Sequence, residues 1–77
     1  MEKKVDKYYY KELGYLIHEE RLKKGYSLRY LSQQTGLSRT TLDDYELGKK
    51  RITMMNWNLI CNALGIKPKV VVNVAIG

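Results

Sequence analysis

Leu28-Arg29-Tyr30-Leu31-Ser32-Gln33-Gln34-Thr35-Gly36-Leu37-Ser38-Arg39-Thr40-Thr41-Leu42-Asp43-Asp44-Tyr45-Glu46-Leu47 divides into two short helical runs at Gly36-Leu37-Ser38. Leu28 and Leu31 stand three apart in the first run, and Leu42 and Tyr45 do so in the second, the spacing of one helix face. Gly36 suits the left-handed backbone that ends a helix, and Ser38 suits the N-cap of the next. Leu37 is expected to tuck between the two runs. Two short helices joined by a glycine turn have helix-turn-helix geometry. The first turn of the second helix then faces outward, the part that meets base edges in a major groove.

Outside this stretch the same punctuation recurs. Gly25, Gly36, Gly48 and Gly65 each follow a helical run, and Ser27, Ser38 and Thr53 are N-cap candidates. Four helices are predicted, over residues 9–24, 28–35, 39–47 and 54–64. Leu13, Leu16 and Ile17 share a face of the first. Trp57, Ile60, Cys61 and Leu64 give the i, i+3, i+4, i+7 stripe of a buried face in the fourth, which Met54 and Met55 open, one of them expected to be buried. The tyrosine run at Tyr8, Tyr9 and Tyr10 is expected to pack with the first helix. Beyond Pro68 the pattern changes to Lys69-Val70-Val71-Val72-Asn73-Val74-Ala75-Ile76, β-branched and alternating, which reads as a strand. The fold class is therefore mainly α, with residues 1–68 expected to form a helix-turn-helix domain of the kind that enters a DNA major groove and residues 69–77 a C-terminal strand expected to serve dimerisation.

A lone strand cannot satisfy its own backbone donors and acceptors. Its partner is either the stretch 4–10, the other β-like segment, or the same strand of a second molecule. The second is favoured, because closed two-fold dimers are the commonest oligomers. Val70, Val72, Val74 and Ile76 would then be the dimerisation face, packed on the helices.

The net charge of +6 is unevenly placed. Residues 1–20 carry four Lys against five acids, residues 21–51 eight Lys or Arg against three acids, and residues 52–77 two Lys and no acid. A basic central segment suits phosphate, although charge alone equally suits a solvated face. The single Cys61 excludes an intrachain disulfide and suits the reducing cytoplasm. The N-terminus lacks the apolar run of a signal peptide, and the longest apolar stretch is far short of the ~20 residues a spanning helix needs. No membrane association is expected.

From residue 13 to residue 66 the chain resembles the phage repressor and Cro-type (XRE-like) helix-turn-helix family, whose fold is the four-helix lambda-repressor-like domain. The resemblance lies in Leu13-Gly14, Ile17, Arg21, Lys24-Gly25-Tyr26-Ser27, Leu31, Thr35-Gly36-Leu37-Ser38, Leu42, Tyr45-Glu46-Leu47-Gly48-Lys49, Ile60 and Ala63-Leu64-Gly65-Ile66. It implies an ion pair between Arg21 and Glu46 that ties the first helix to the end of the recognition helix. It implies base reading by Arg39, Thr40 and Asp44, Arg39 being suited to guanine O6 and N7. Lys49, Lys50 and Arg51 would meet phosphates, as would Ser27 with the amides of the second helix, and Ser38 and Thr41 at the start of the third. Many members carry a phosphate-binding glutamine where this chain has Leu28, which cannot make that contact. Asp43 and Asp44 place negative charge on the recognition helix. Asp44 either accepts from cytosine N4 or sits off the DNA.

The remaining residues offer no chemistry of their own. His18 is read as solvated or partner-facing, and Cys61 as core. One His and one Cys do not make a zinc site. Paired carboxylates and a glycine-rich phosphate loop are lacking, so no enzyme, metal or cofactor is expected. The expected function is transcriptional regulation: a homodimeric repressor occupying a palindromic operator in double-stranded DNA. The alternative is an antitoxin that also binds a toxin, since some family members are antitoxins with a C-terminal strand.

Overall fold

The computed structural model describes residues 2–67, with side chains from Tyr9 onward. Four helices follow in order: α1 (Glu2–Lys23), α2 (Leu28–Thr35), α3 (Arg39–Glu46) and α4 (Met54–Leu64). The three expected caps are in place. Ser27, Ser38 and Thr53 accept from the backbone N–H of Tyr30, Thr41 and Asn56, each three residues on. Gly25, Gly36, Gly48 and Gly65 all have positive φ. Leu47, expected as the last residue of the third helix, is its C-cap.

α1 begins well before residue 9, and the stretch 4–10 is helical rather than β-like. It is not the partner of a C-terminal strand. The reason is periodicity: Tyr9, Leu13 and Ile17 stand four apart, as do Tyr10 and Gly14. Tyr9 and Tyr10 are partly buried against the core, so packing extends the helical face backwards and overrides the modest helix propensity of the tyrosines. The strand expected over residues 70–76 lies outside the described residues.

All four helices contribute to one core. Leu13 and Ile17 of α1, Leu31 of α2, Leu42 and Tyr45 of α3, and Trp57, Ile60, Cys61 and Leu64 of α4 are buried, with Ile52 from the α3–α4 loop. Their spacing turns one face of each helix inward. The Tyr45 hydroxyl accepts from Asn56 Nδ2 at 2.8 Å, so the phenol is buried with its polar end paired. Met54 and Met55 are both exposed, at 58% and 73%, against the expectation that one is buried. They precede Trp57, which starts the buried stripe of α4, and their position in the first turn puts both on its outer side.

α3 packs on both α1 and α2. Its approach to α1 is close at one point. A Cβ at Gly14 would overlap the carbonyl oxygen of Tyr45 and lie 3.0 Å from that of Glu46. Only a residue without a side chain lets the two backbones meet there.

Candidate nucleic-acid interface

The turn between α2 and α3 is held by side chains as well as by Gly36. The Thr35 hydroxyl donates to Leu31 O at 2.8 Å and accepts from the Leu37 N–H at 3.2 Å. The Ser32 hydroxyl donates to Leu37 O at 2.5 Å. Gly36 itself, at φ +80°, gives its N–H to Ser32 O. Both groups of Leu37 are therefore satisfied while its side chain packs against the core. Ser38 then starts α3, its hydroxyl also donating to Thr41 Oγ1 at 2.9 Å. Sequence reading did not assign Ser32 or Thr35 this role. Polar residues at the end of a short helix are the signal, since their hydroxyls compete for local backbone groups.

This turn brings the starts of α2 and α3 side by side. Ser27, Leu28 and Arg29 of one and Arg39, Thr40 and Asp43 of the other line a shallow groove. Arg29, Arg39, Thr40 and Asp43 are exposed there, whereas Leu28 is half-buried and packed on the core. Arg39 and Thr40 are thus together. Asp44 is not part of this groove. It lies on the flank of α3, with its carboxylate 3.5 Å from Lys50 Nζ. Arg29, which no motif singled out, joins the groove because it follows the N-cap of α2.

Beyond α3 the chain turns at Gly48, and the Lys49 N–H bonds to Asp44 O at 2.8 Å. Lys49, Lys50 and Arg51 are exposed. The Arg51 guanidinium lies 5.6 Å from the centre of the Tyr10 ring, a cation–π contact that ties this loop back to α1. That contact was illegible in the sequence, where the two residues are far apart.

The C-terminal end of α3 is anchored by charge. Arg21 Nε donates to Glu46 Oε2 at 2.6 Å and Nη2 to Oε1 at 3.0 Å, a two-pronged pair. The two side chains are 11% and 4% exposed. Arg21 Nη1 also donates to the Tyr26 carbonyl at 2.8 Å, so one guanidinium links α1, the α1–α2 loop and α3. The hydrogen bond to Glu46, more than any other cause, raises the Arg21 pKa above its ordinary value and keeps it charged. His18 is not a merely solvated residue. Its Nδ1 is 2.7 Å from Glu46 Oε1, while the rest of its ring remains partly exposed. The spacing of His18 and Arg21 on one helix face was the missed signal.

Burial pushes the Cys61 thiol up to about 11, which leaves it protonated and a poor nucleophile. Among the described residues no cluster of His, Cys, Asp or Glu is arranged to hold a metal ion, and no helix is long and apolar enough to cross a membrane.

The helix-turn-helix family model matches residues 17–71, most of the chain. The chain belongs to the XRE-type helix-turn-helix family. It is a DNA-binding regulator of transcription. Among solved structures, it is similar to the restriction-modification controller protein C.AhdI from Aeromonas hydrophila, with a TM-score of 0.76 and 27% sequence identity. That likeness covers 80% of this chain and 94% of the controller protein. No curated protein matches it in a sequence search.

Proposed function

We propose that the chain is a repressor that occupies a palindromic operator as a homodimer, one α3 in each half-site. The observation that carries this reading is the exposed groove shared by the first turns of α2 and α3, with Arg39 and Thr40 side by side in it. Arg39 reads guanine through O6 and N7, and Thr40 contacts the neighbouring base. Ser27, Ser38 and Thr41, at the capped helix starts, and Lys49, Lys50 and Arg51, in the loop after α3, hold phosphates on either side. The likeness to a restriction-modification controller protein supports a regulatory role for the whole domain.

Asp44 acts from the flank of α3. Its pairing with Lys50 offsets a carboxylate that would otherwise repel phosphate. Lys50 is exposed and Asp44 partly so, and a surface pair of this kind is worth only about 0–1 kcal/mol. DNA can therefore exchange it cheaply, Lys50 turning to a phosphate and Asp44 accepting from cytosine N4. Half-sites recur about 34 Å apart along the duplex, so two copies joined through Val70, Val72, Val74 and Ile76 would span both.

The test is selection of bound duplexes from a random pool, with sedimentation of the full chain and of a chain ending at Lys67. A palindromic consensus, a dimeric full-length protein and a truncated protein that is monomeric and binds weakly are expected. A non-palindromic consensus, or a truncated protein that stays dimeric, would overturn the dimer reading.

A further inference from the structure

The basic loop between α3 and α4 is anchored at both ends. At its start Gly48 takes φ +71° and lies close against α1, where a Cβ would sit 3.2 Å from Lys11 Cα and 2.7 Å from Lys11 Cγ. At its end Ile52 is buried in the core. Between these anchors Lys49, Lys50 and Arg51 are exposed. Exposed side chains of this length ordinarily keep most of their rotamer freedom. Arg51 is placed nonetheless, with its guanidinium carbon 5.6 Å from the centre of the Tyr10 ring. Tyr10 has a fixed seat of its own. It packs partly buried against the core, and its ring centre lies 5.9 Å from that of Tyr9.

We propose that Tyr10 is a positioning residue for DNA binding, its ring face holding Arg51 ready for a phosphate. The inference rests on the reading of residues 49–51 as phosphate contacts. Tyr10 itself does not have to touch DNA. A ring attracts a guanidinium through its electron-rich face and accepts no N–H in doing so, so the in-plane donors that grip a phosphate are not consumed. Ordering a long side chain at the moment of binding costs roughly two- to tenfold in affinity. Here Arg51 is ordered when the chain folds, before DNA arrives. α1 thus acts twice on the recognition unit: Arg21 fixes the end of α3, and Tyr10 fixes the loop that follows it.

The experiment measures the affinity of the full chain for duplex DNA over a range of salt concentrations. Tyr10 is replaced by phenylalanine and then by phenylalanines with increasing ring fluorination, which keep the shape of the ring and drain charge from its face. Melting curves show that each variant is folded. Tyr10→Phe should bind like the wild type. Affinity should then fall stepwise with fluorination, roughly two- to tenfold in all. The preferred sequence and the salt slope should not change, because the phosphate contact survives. Arg51→Ala should instead reduce the salt slope by about one. In the Arg51→Ala background the fluorine series should be flat.

A series that is flat with Arg51 present, or that falls just as far after Arg51→Ala, would overturn the inference and leave the phosphate reading intact. Tighter binding on fluorination would also overturn it, since Tyr10 would then be holding Arg51 away from the DNA. An Arg51→Ala protein with undiminished affinity and salt slope would remove the phosphate reading of Arg51 and this inference together.

Discussion

At its C-terminal end α3 is clamped, and at its N-terminal end it is bare. The Glu46 side chain is almost fully buried and takes two hydrogen bonds from Arg21 and one contact from His18, while the backbone beside it rests against Gly14. Arg39 and Thr40, less than two turns away, are exposed. The two ends solve different problems. A helix of eight residues does not hold its own position in water. One end must be fixed to the body so that the other can present side chains without having them locked. The clamp belongs to folding, and the bare end belongs to recognition. Substitutions at the two ends should therefore separate cleanly.

The largest effect is expected at the clamp. Glu46→Ala leaves the Arg21 guanidinium without its carboxylate in a nearly buried site, which costs about 3–5 kcal/mol. For so small a domain that loss would lower the melting temperature by well over ten degrees. An unchanged melting curve would show that the pair does not hold α3. Gly14→Ala comes next. Its Cβ meets backbone, which cannot rotate aside, so the cost should reach the upper part of the overpacking range, about 3 kcal/mol. Denaturant titration measures it, and a loss under 1 kcal/mol would mean that α1 and α3 slide apart freely.

At the bare end the effects are smaller and of another kind. Arg39→Ala should leave the melting temperature in place, cost about 1–3 kcal/mol in binding, and relax preference at one base position. Lys50→Ala should weaken binding to all duplexes alike and reduce the salt slope by about one. Both are read from binding isotherms at several salt concentrations. Identical behaviour of the two variants would break the division between base reader and phosphate contact. The smallest effect is expected for His18→Ala. Its ring is partly exposed and Arg21 already satisfies Glu46, so the loss should be about 1 kcal/mol or less. If His18→Ala costs as much as Glu46→Ala, the imidazole is an equal member of the clamp.

Much of this division is legible in the chain. Gly36, Ser38 and the apolar pairs around them specify two short helices and the turn between them, because caps and left-handed residues act within a few positions of sequence. The same holds for Thr53 at the start of α4 and for the stripe from Trp57 to Leu64. Arg21 and Glu46 were legible only through family resemblance, since no local pattern links residues so far apart. What escaped the sequence was set across the chain. The start of α1 depends on Tyr9 and Tyr10 finding the core, which local propensity does not reveal. The contact between His18, read from the sequence as solvated or partner-facing, and Glu46 is invisible there because Glu46 lies on another helix. Met54 and Met55 were misjudged because hydrophobicity alone does not say which side of a helix faces inward.

The sequence by itself determined where helices stop, which faces are apolar and where positive charge accumulates, all properties carried by neighbouring residues. Only the tertiary structure decided which charges meet, that Gly14 is a point of backbone contact, that Arg51 returns to Tyr10, and that Leu28 shares a groove with Arg39. Those facts depend on how four helices pack in space. Packing is a sum over the whole core, and no short window of sequence contains it.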